Sequence, residues 1–283
     1  MDKTDNRMKD RNRQVFETFP DKPYTGKIRF SSGISLKDIL IRAAAILAVP
    51  LAAYTIYDLI YESPEAVPVY EHTAASQTYS VNNGVKGDIV LPDGTKVKLN
   101  SGSELMIADD FLVNRRAILN GEGYFEVTAD KEHPFYITTP QDITIRVTGT
   151  AFNLCCYTDQ QDIRLNLKEG SVDIVHEDRT IYTMKHPEDI RVVNGDICHT
   201  ERKVEESEAW TEGRLVFDNT PMDEVISRIE RWYGVKIYVK DPSIYSQTFT
   251  GDFNSESVGR IFDLMKITNG IRYTIDKNEI IIL

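Results

Sequence analysis

Ile39 to Tyr61 divides the chain in two. Between Arg42 and Asp58 there is no charge. About 23 residues at helical rise span roughly 34 Å, slightly more than the hydrocarbon core of a bilayer. Tyr54, Tyr57 and Tyr61 gather at the C-terminal end, as an aromatic belt does. Pro50 is tolerated better in a membrane helix than in a soluble one. The stretch is therefore expected to be a single transmembrane helix. A buried, Ala-rich helix of a soluble domain is the alternative.

Flanking charge orients that helix. Residues 1–42 hold ten basic and six acidic groups, a net of +4. Beyond it come Asp58, Glu62, Glu65 and Glu71, with no Lys or Arg before Lys86. The positive-inside rule puts the N-terminus in the cytoplasm and the rest outside it, so the expected location is the cytoplasmic membrane. The chain totals −11, so residues 43–283 carry −15. A domain this acidic argues against nucleic acid, whose binders present a basic face.

Six segments are expected. Residues 1–38 form a short cytoplasmic tail, in which Val15, Phe16 and Phe19 share one face of a short helix before Pro20. Residues 39–61 are the span. Residues 62–82, with Pro64, Pro68 and a small polar run, read as an extended linker. Residues 83–200 have period two, with many short strands between Gly, Pro and Asp turns, and so read as all-β. Asn120–Tyr124 is read as a turn between two of those strands. Sandwich, jelly roll and short solenoid all remain open for this domain. Residues 201–213 are a charged connector.

Residues 214–283 read as a small α+β domain. A first helix begins at Asn219-Thr220-Pro221 and stops at Gly234, and a second is capped by Ser255. A hairpin follows, ending at the chain's last strand. That strand, Glu279, Ile280, Ile281, Ile282 and Leu283, has two readings. It is an open edge able to take a partner's strand, or it closes the module's own core.

Chemistry is sparse. The five histidines show no ligand spacing, and there is no phosphate loop, dinucleotide fingerprint or nucleophile elbow. No cofactor, metal or enzymatic activity is expected. Cys155, Cys156 and Cys198 are an odd set. The first two are adjacent in a strand and must face opposite ways, so buried free thiols are expected, with a bridge to Cys198 as the alternative. Gly149–Thr150 sets a hydroxyl beside a glycine carbonyl. It is a turn, or a strained bond able to pass its acyl group to the hydroxyl and hydrolyse.

Several longer words follow one another in order. They are Leu91-Pro-Asp-Gly-Thr-Lys-Val-Lys-Leu-Asn100, Leu119-Asn-Gly-Glu-Gly-Tyr-Phe-Glu-Val127, His133-Pro-Phe-Tyr-Ile137, Val147-Thr-Gly-Thr-Ala-Phe-Asn-Leu154 and Leu167-Lys-Glu-Gly-Ser-Val172. Later come Leu215-Val-Phe-Asp-Asn-Thr-Pro-Met-Asp-Glu-Val-Ile226, Glu230-Arg-Trp-Tyr-Gly-Val-Lys-Ile237 and Thr250-Gly-Asp-Phe253. Over about residues 81–283 this resembles the FecR family of transmembrane anti-sigma regulators, in the form common in Bacteroidetes.

The resemblance implies a protein of the inner membrane that relays a signal inward. Outside, it meets the N-terminal signalling domain of a TonB-dependent outer-membrane receptor. Inside, it holds an extracytoplasmic-function sigma factor, and so controls genes for iron or glycan uptake. The C-terminal module looks similar to the receptor's signalling domain and to secretin N-domains. Some relatives self-cleave at a bond like Gly149–Thr150. The tail here is shorter than the family's helical domain. Either a short peptide holds the sigma factor, or this member acts without holding it. A tethered periplasmic glycan-binding or scaffold protein is the competing class. Against it, Tyr124, Phe125, Phe135, Tyr136 and Phe152 are expected inside the strands' core.

Overall fold

The computed structural model describes Lys37, residues 76–200 and residues 207–283. The expected span Ile39–Tyr61 and the tail residues Val15, Phe16 and Phe19 lie outside the described residues. Among the described residues, no helix is long and apolar enough to cross a membrane.

Thirteen strands build the β domain: β1 Ser76–Ser80, β2 Gly87–Val90, β3 Lys96–Leu99, β4 Glu104–Ala108, β5 Arg116–Glu126, β6 Phe135–Thr138, β7 Ile143–Val147, β8 Ala151–Cys156, β9 Asp162–Glu169, β10 Val172–His176, β11 Arg179–Met184, β12 Glu188–Val193 and β13 Asp196–His199. A one-turn helix, α1 (Phe111–Asn114), joins β4 to β5. One sheet runs β1-β4-β5-β6-β7-β10-β11, and the second runs β2-β3-β5-β8-β9-β12-β13. Every pair is antiparallel except β5–β6. Alternation along the strands puts one set of side chains inward, as in β3, where Val97 and Leu99 are buried and Lys96 and Lys98 exposed. The inward sets of both sheets meet in one core. Phe125 stacks on Phe152 at 5.1 Å, and Phe111 meets Phe135 edge-on at 5.4 Å.

The two sheets share β5, and here the turn expected at Asn120–Tyr124 is corrected. One 11-residue strand runs straight through Asn120-Gly121-Glu122-Gly123. Its first half pairs with β4, its second with β3 and β8. The glycines serve close approach, not reversal. Gly121 has φ +127°, and a Cβ there would lie 2.5 Å from the Ser103 Cβ. A strand that leaves one sheet for another needs that freedom. The segment read as linker also differs, since Ser76–Ser80 pairs with β4 along its whole length.

The C-terminal module runs β14 Arg214–Pro221, α2 Met222–Tyr233, β15 Lys236–Val239, β16 Thr248–Asn254, α3 Val258–Asn269, β17 Tyr273–Asp276 and β18 Glu279–Ile282. Met222, Val225, Ile226 and Ile229 recur at helical spacing, and all four are buried. Gly234, at φ +65°, ends α2. The expected cap Ser255 lies outside α3 at φ +68°, and Ser257 takes the role, its hydroxyl accepting from the Arg260 N–H. The module has its own core, separate from that of the β domain.

Candidate functional site at the seam between the modules

Strand alternation also dictates the outer face of the second sheet. Inward go Phe152, Leu154 and Cys156; outward go Asn153 and Cys155. Register then aligns two polar rows across the sheet. One is Glu122-Cys155-Arg164-Arg191, and the other is Tyr124-Asn153-Asn166-Asp189. The C-terminal module packs over these rows through α2. A half-closed cleft remains between them, lined by Glu122, Cys155, Arg164, Asn166, Glu224 and Arg231 among others.

Named polar contacts hold the seam. The Arg164 guanidinium donates twice to Glu224, both at 2.5 Å. Burial opposes the charge on Arg164, but the hydrogen bonds and charge of Glu224 outweigh it and hold the group above its usual range. Arg231 donates to Asp159 at 3.1 Å and lies over the Tyr157 ring at 4.1 Å. The Gly84 N–H donates to the Arg231 carbonyl at 2.8 Å. Lys86 sits 3.4 Å above the Trp232 ring. Burial lowers the pKa of Lys86, and the Glu122 charge opposes that shift. Glu122 itself accepts from Asn100 at 2.6 Å and Asn153 at 2.9 Å.

The second half of the expected connector is part of this seam. Residues Ala209–Glu212 form a 3-10 turn with Trp210 buried. Its indole N–H donates to Asn153 at 3.0 Å. Ser207 and Thr200 both donate to Asp189. An aromatic within an acidic run was the sequence signal for this packing. Arg164, Glu224, Arg231 and Asn153 gave none, because only the three-dimensional register aligns them.

Of the residues singled out in sequence, Gly149–Thr150 forms the bend between β7 and β8. Gly149 has φ +140°, with Ala129 so near that a Cβ would lie 2.8 Å from it. Thr150 is buried, and its hydroxyl donates to the Ser171 carbonyl at 2.8 Å. Glu279–Leu283 is not an open edge, which corrects that premise. β18 lies between β15 and β17, paired to the first in parallel and the second antiparallel. Ile280 and Ile282 are buried because they fill the module's core. The open edges of this sheet are β15 and β17. Cys155, Cys156 and Cys198 are free thiols, but the expected burial holds in full only for Cys156: Cys155, on the outward face of β8, is half-buried, and Cys198, on the edge strand β13, is exposed. Burial pushes Cys155 and Cys156 above the usual thiol range. Tyr124, Phe125, Phe135, Tyr136 and Phe152 are all buried. Among the described residues, no group of three His, Cys, Asp or Glu is placed to hold a metal.

Comparison with known proteins gives a consistent result. The family model described as FecR protein matches residues 77–173, and the model of the FecR C-terminal region matches residues 214–282. Two crystal structures of a candidate anti-sigma factor from Parabacteroides distasonis, at 2.50 and 1.65 Å resolution, are 28% identical to the chain with TM-scores of 0.66. They cover 74% and 73% of this chain, and 98% of each solved chain is matched. No protein of curated function matches. Both family matches fall on the two modules described above, and the chain belongs to the FecR family.

Proposed function

We propose that this chain is a regulator of the anti-sigma type. In this reading Ile39–Tyr61 anchors it in the cytoplasmic membrane, and the tail containing Val15, Phe16 and Phe19 meets an extracytoplasmic-function sigma factor. The two described modules lie outside and meet the N-terminal signalling domain of a TonB-dependent receptor. The match of both modules to the FecR family carries the reading, together with the likeness to a candidate anti-sigma factor. The glycan-binding alternative loses part of its support, because Phe125, Phe135 and Phe152 lie in the β core and Tyr124 and Tyr136 are buried.

Calorimetry tests the outer half of this proposal. Full chain in detergent is titrated with the N-terminal signalling domain of a TonB-dependent receptor from the same organism, and separately with a panel of oligosaccharides. Saturable binding of the signalling domain alone is expected. Binding of an oligosaccharide with silence toward the domain would reverse the assignment.

A further inference from the structure

The two modules close separate cores, and no residue belongs to both. They nonetheless fall in one compact unit. What joins them is the polar seam, and its composition has a consequence. We propose that the α2 face of the C-terminal module is a reversible docking surface. Its occupant in this structure is the outer face of the β domain's second sheet, and the modules part along it as intact units.

Three observations support this. First, the contacts across the seam are ion pairs, hydrogen bonds and cation–π pairs: Arg164–Glu224, Arg231–Asp159, Lys86–Trp232 and Trp210–Asn153. Each of these charged groups regains water on opening, and the large apolar surface that parting exposes is confined to Trp210, Trp232 and their immediate neighbours, not to either core. Second, the fit is incomplete. The Asn166 Oδ1 is buried in the cleft with no protein partner among the described residues. In a close-packed fit buried polar atoms are usually paired. Third, the parts that must stay whole are whole: β14 pairs with β16 and β15 with β18 inside the C-terminal module, with no strand shared across the seam. A partner that binds the C-terminal module only when it is undocked would shift this equilibrium and uncover the polar rows of the β domain. The docking itself does not depend on who that partner is, so its failure leaves the regulator reading standing.

Adjacent native cysteines supply the probe. Cys155 faces the seam, lining the cleft with Arg164, Glu224 and Arg231, while Cys156 faces the β core and is fully buried. Full chain in detergent, with Cys198→Ser to remove the exposed thiol, is treated with a maleimide, and labelling at each site is followed by peptide mass spectrometry. The comparison is with the double variant Glu224→Gln, Asp159→Asn in the same background. Labelling of Cys155 is expected to be at least about tenfold faster in the variant, with Cys156 still protected, since two charge-assisted contacts are lost. The wild type should show the same direction on raising salt from about 0.05 to 0.5 M, which requires no substitution. Equal Cys155 rates in wild type and variant would overturn the proposal. So would Cys155 and Cys156 labelling together, which would mean that the β domain unfolds instead of undocking.

Discussion

Arg115 shows how much a single side chain organises here. It closes α1 in a left-handed conformation at φ +39°. Its buried guanidinium donates to Asp93, to the Thr128 carbonyl and to the His133 carbonyl, tying three loops together. Removing it strands a buried carboxylate and two carbonyls. Arg115→Ala is therefore expected to cost about 3–5 kcal/mol, measured by urea unfolding of the full chain. Loss of under about 1 kcal/mol would mean that water replaces it. Thr150 is a smaller case. Thr150→Ala loses one buried hydrogen bond to Ser171 and should cost about 1 kcal/mol. On a denaturing gel, wild type and variant should both run as one intact band, as a structural bend requires. Two fragments in wild type that vanish in the variant would assign self-cleavage to the Gly149–Thr150 bond. Asp93 and His133 fall in stretches that stand out in the sequence, but Arg115 does not, because an arginine beside a turn signals nothing until Asp93, 22 positions away, is brought to it.

The strands were largely legible, and the exceptions have physical causes. Alternation of apolar and charged residues marks β3, and β-branched runs between turn residues mark β6 and β7. β5 departs from the turn its sequence suggests because Gly121 and Gly123 carry the same signal whether they reverse a chain or let it bend past a neighbour. The distinction predicts that Gly121→Ala fails. Its positive φ together with the 2.5 Å approach to the Ser103 Cβ should cost more than about 2 kcal/mol by thermal unfolding, more than the roughly 1 kcal/mol of a positive-φ turn glycine in open space. β18 was read correctly as a strand, but its neighbours were not readable, since pairing order is a long-range property. As the central strand it cannot be spared. Deleting Ile281–Leu283 should abolish cooperative unfolding of the C-terminal module, as followed by hydrogen exchange on α2 and α3. A truncated module with native protection would contradict the central placement.

At the scale of the molecule, the described residues from 76 onward divide into an all-β part and an α+β part, each with its own core. The change of period from two to helical spacing after residue 213 carries that division plainly. The seam between the parts was not legible, because its residues are polar and scattered through both modules. A charged, polar run read as a free connector proves to hold Trp210 against Asn153. The regulator reading rests on these two modules matching one family in order, and its inner half on the expectation that the tail faces the cytoplasm. Co-purification tests it most directly. The full chain and an extracytoplasmic-function sigma factor from the same organism are co-expressed, solubilised and captured through the chain, with a Val15→Ala, Phe16→Ala, Phe19→Ala variant in parallel. The account predicts that the sigma factor co-elutes with the wild type and is lost from the variant. A sigma factor that stays in the flow-through with the wild-type chain would contradict it.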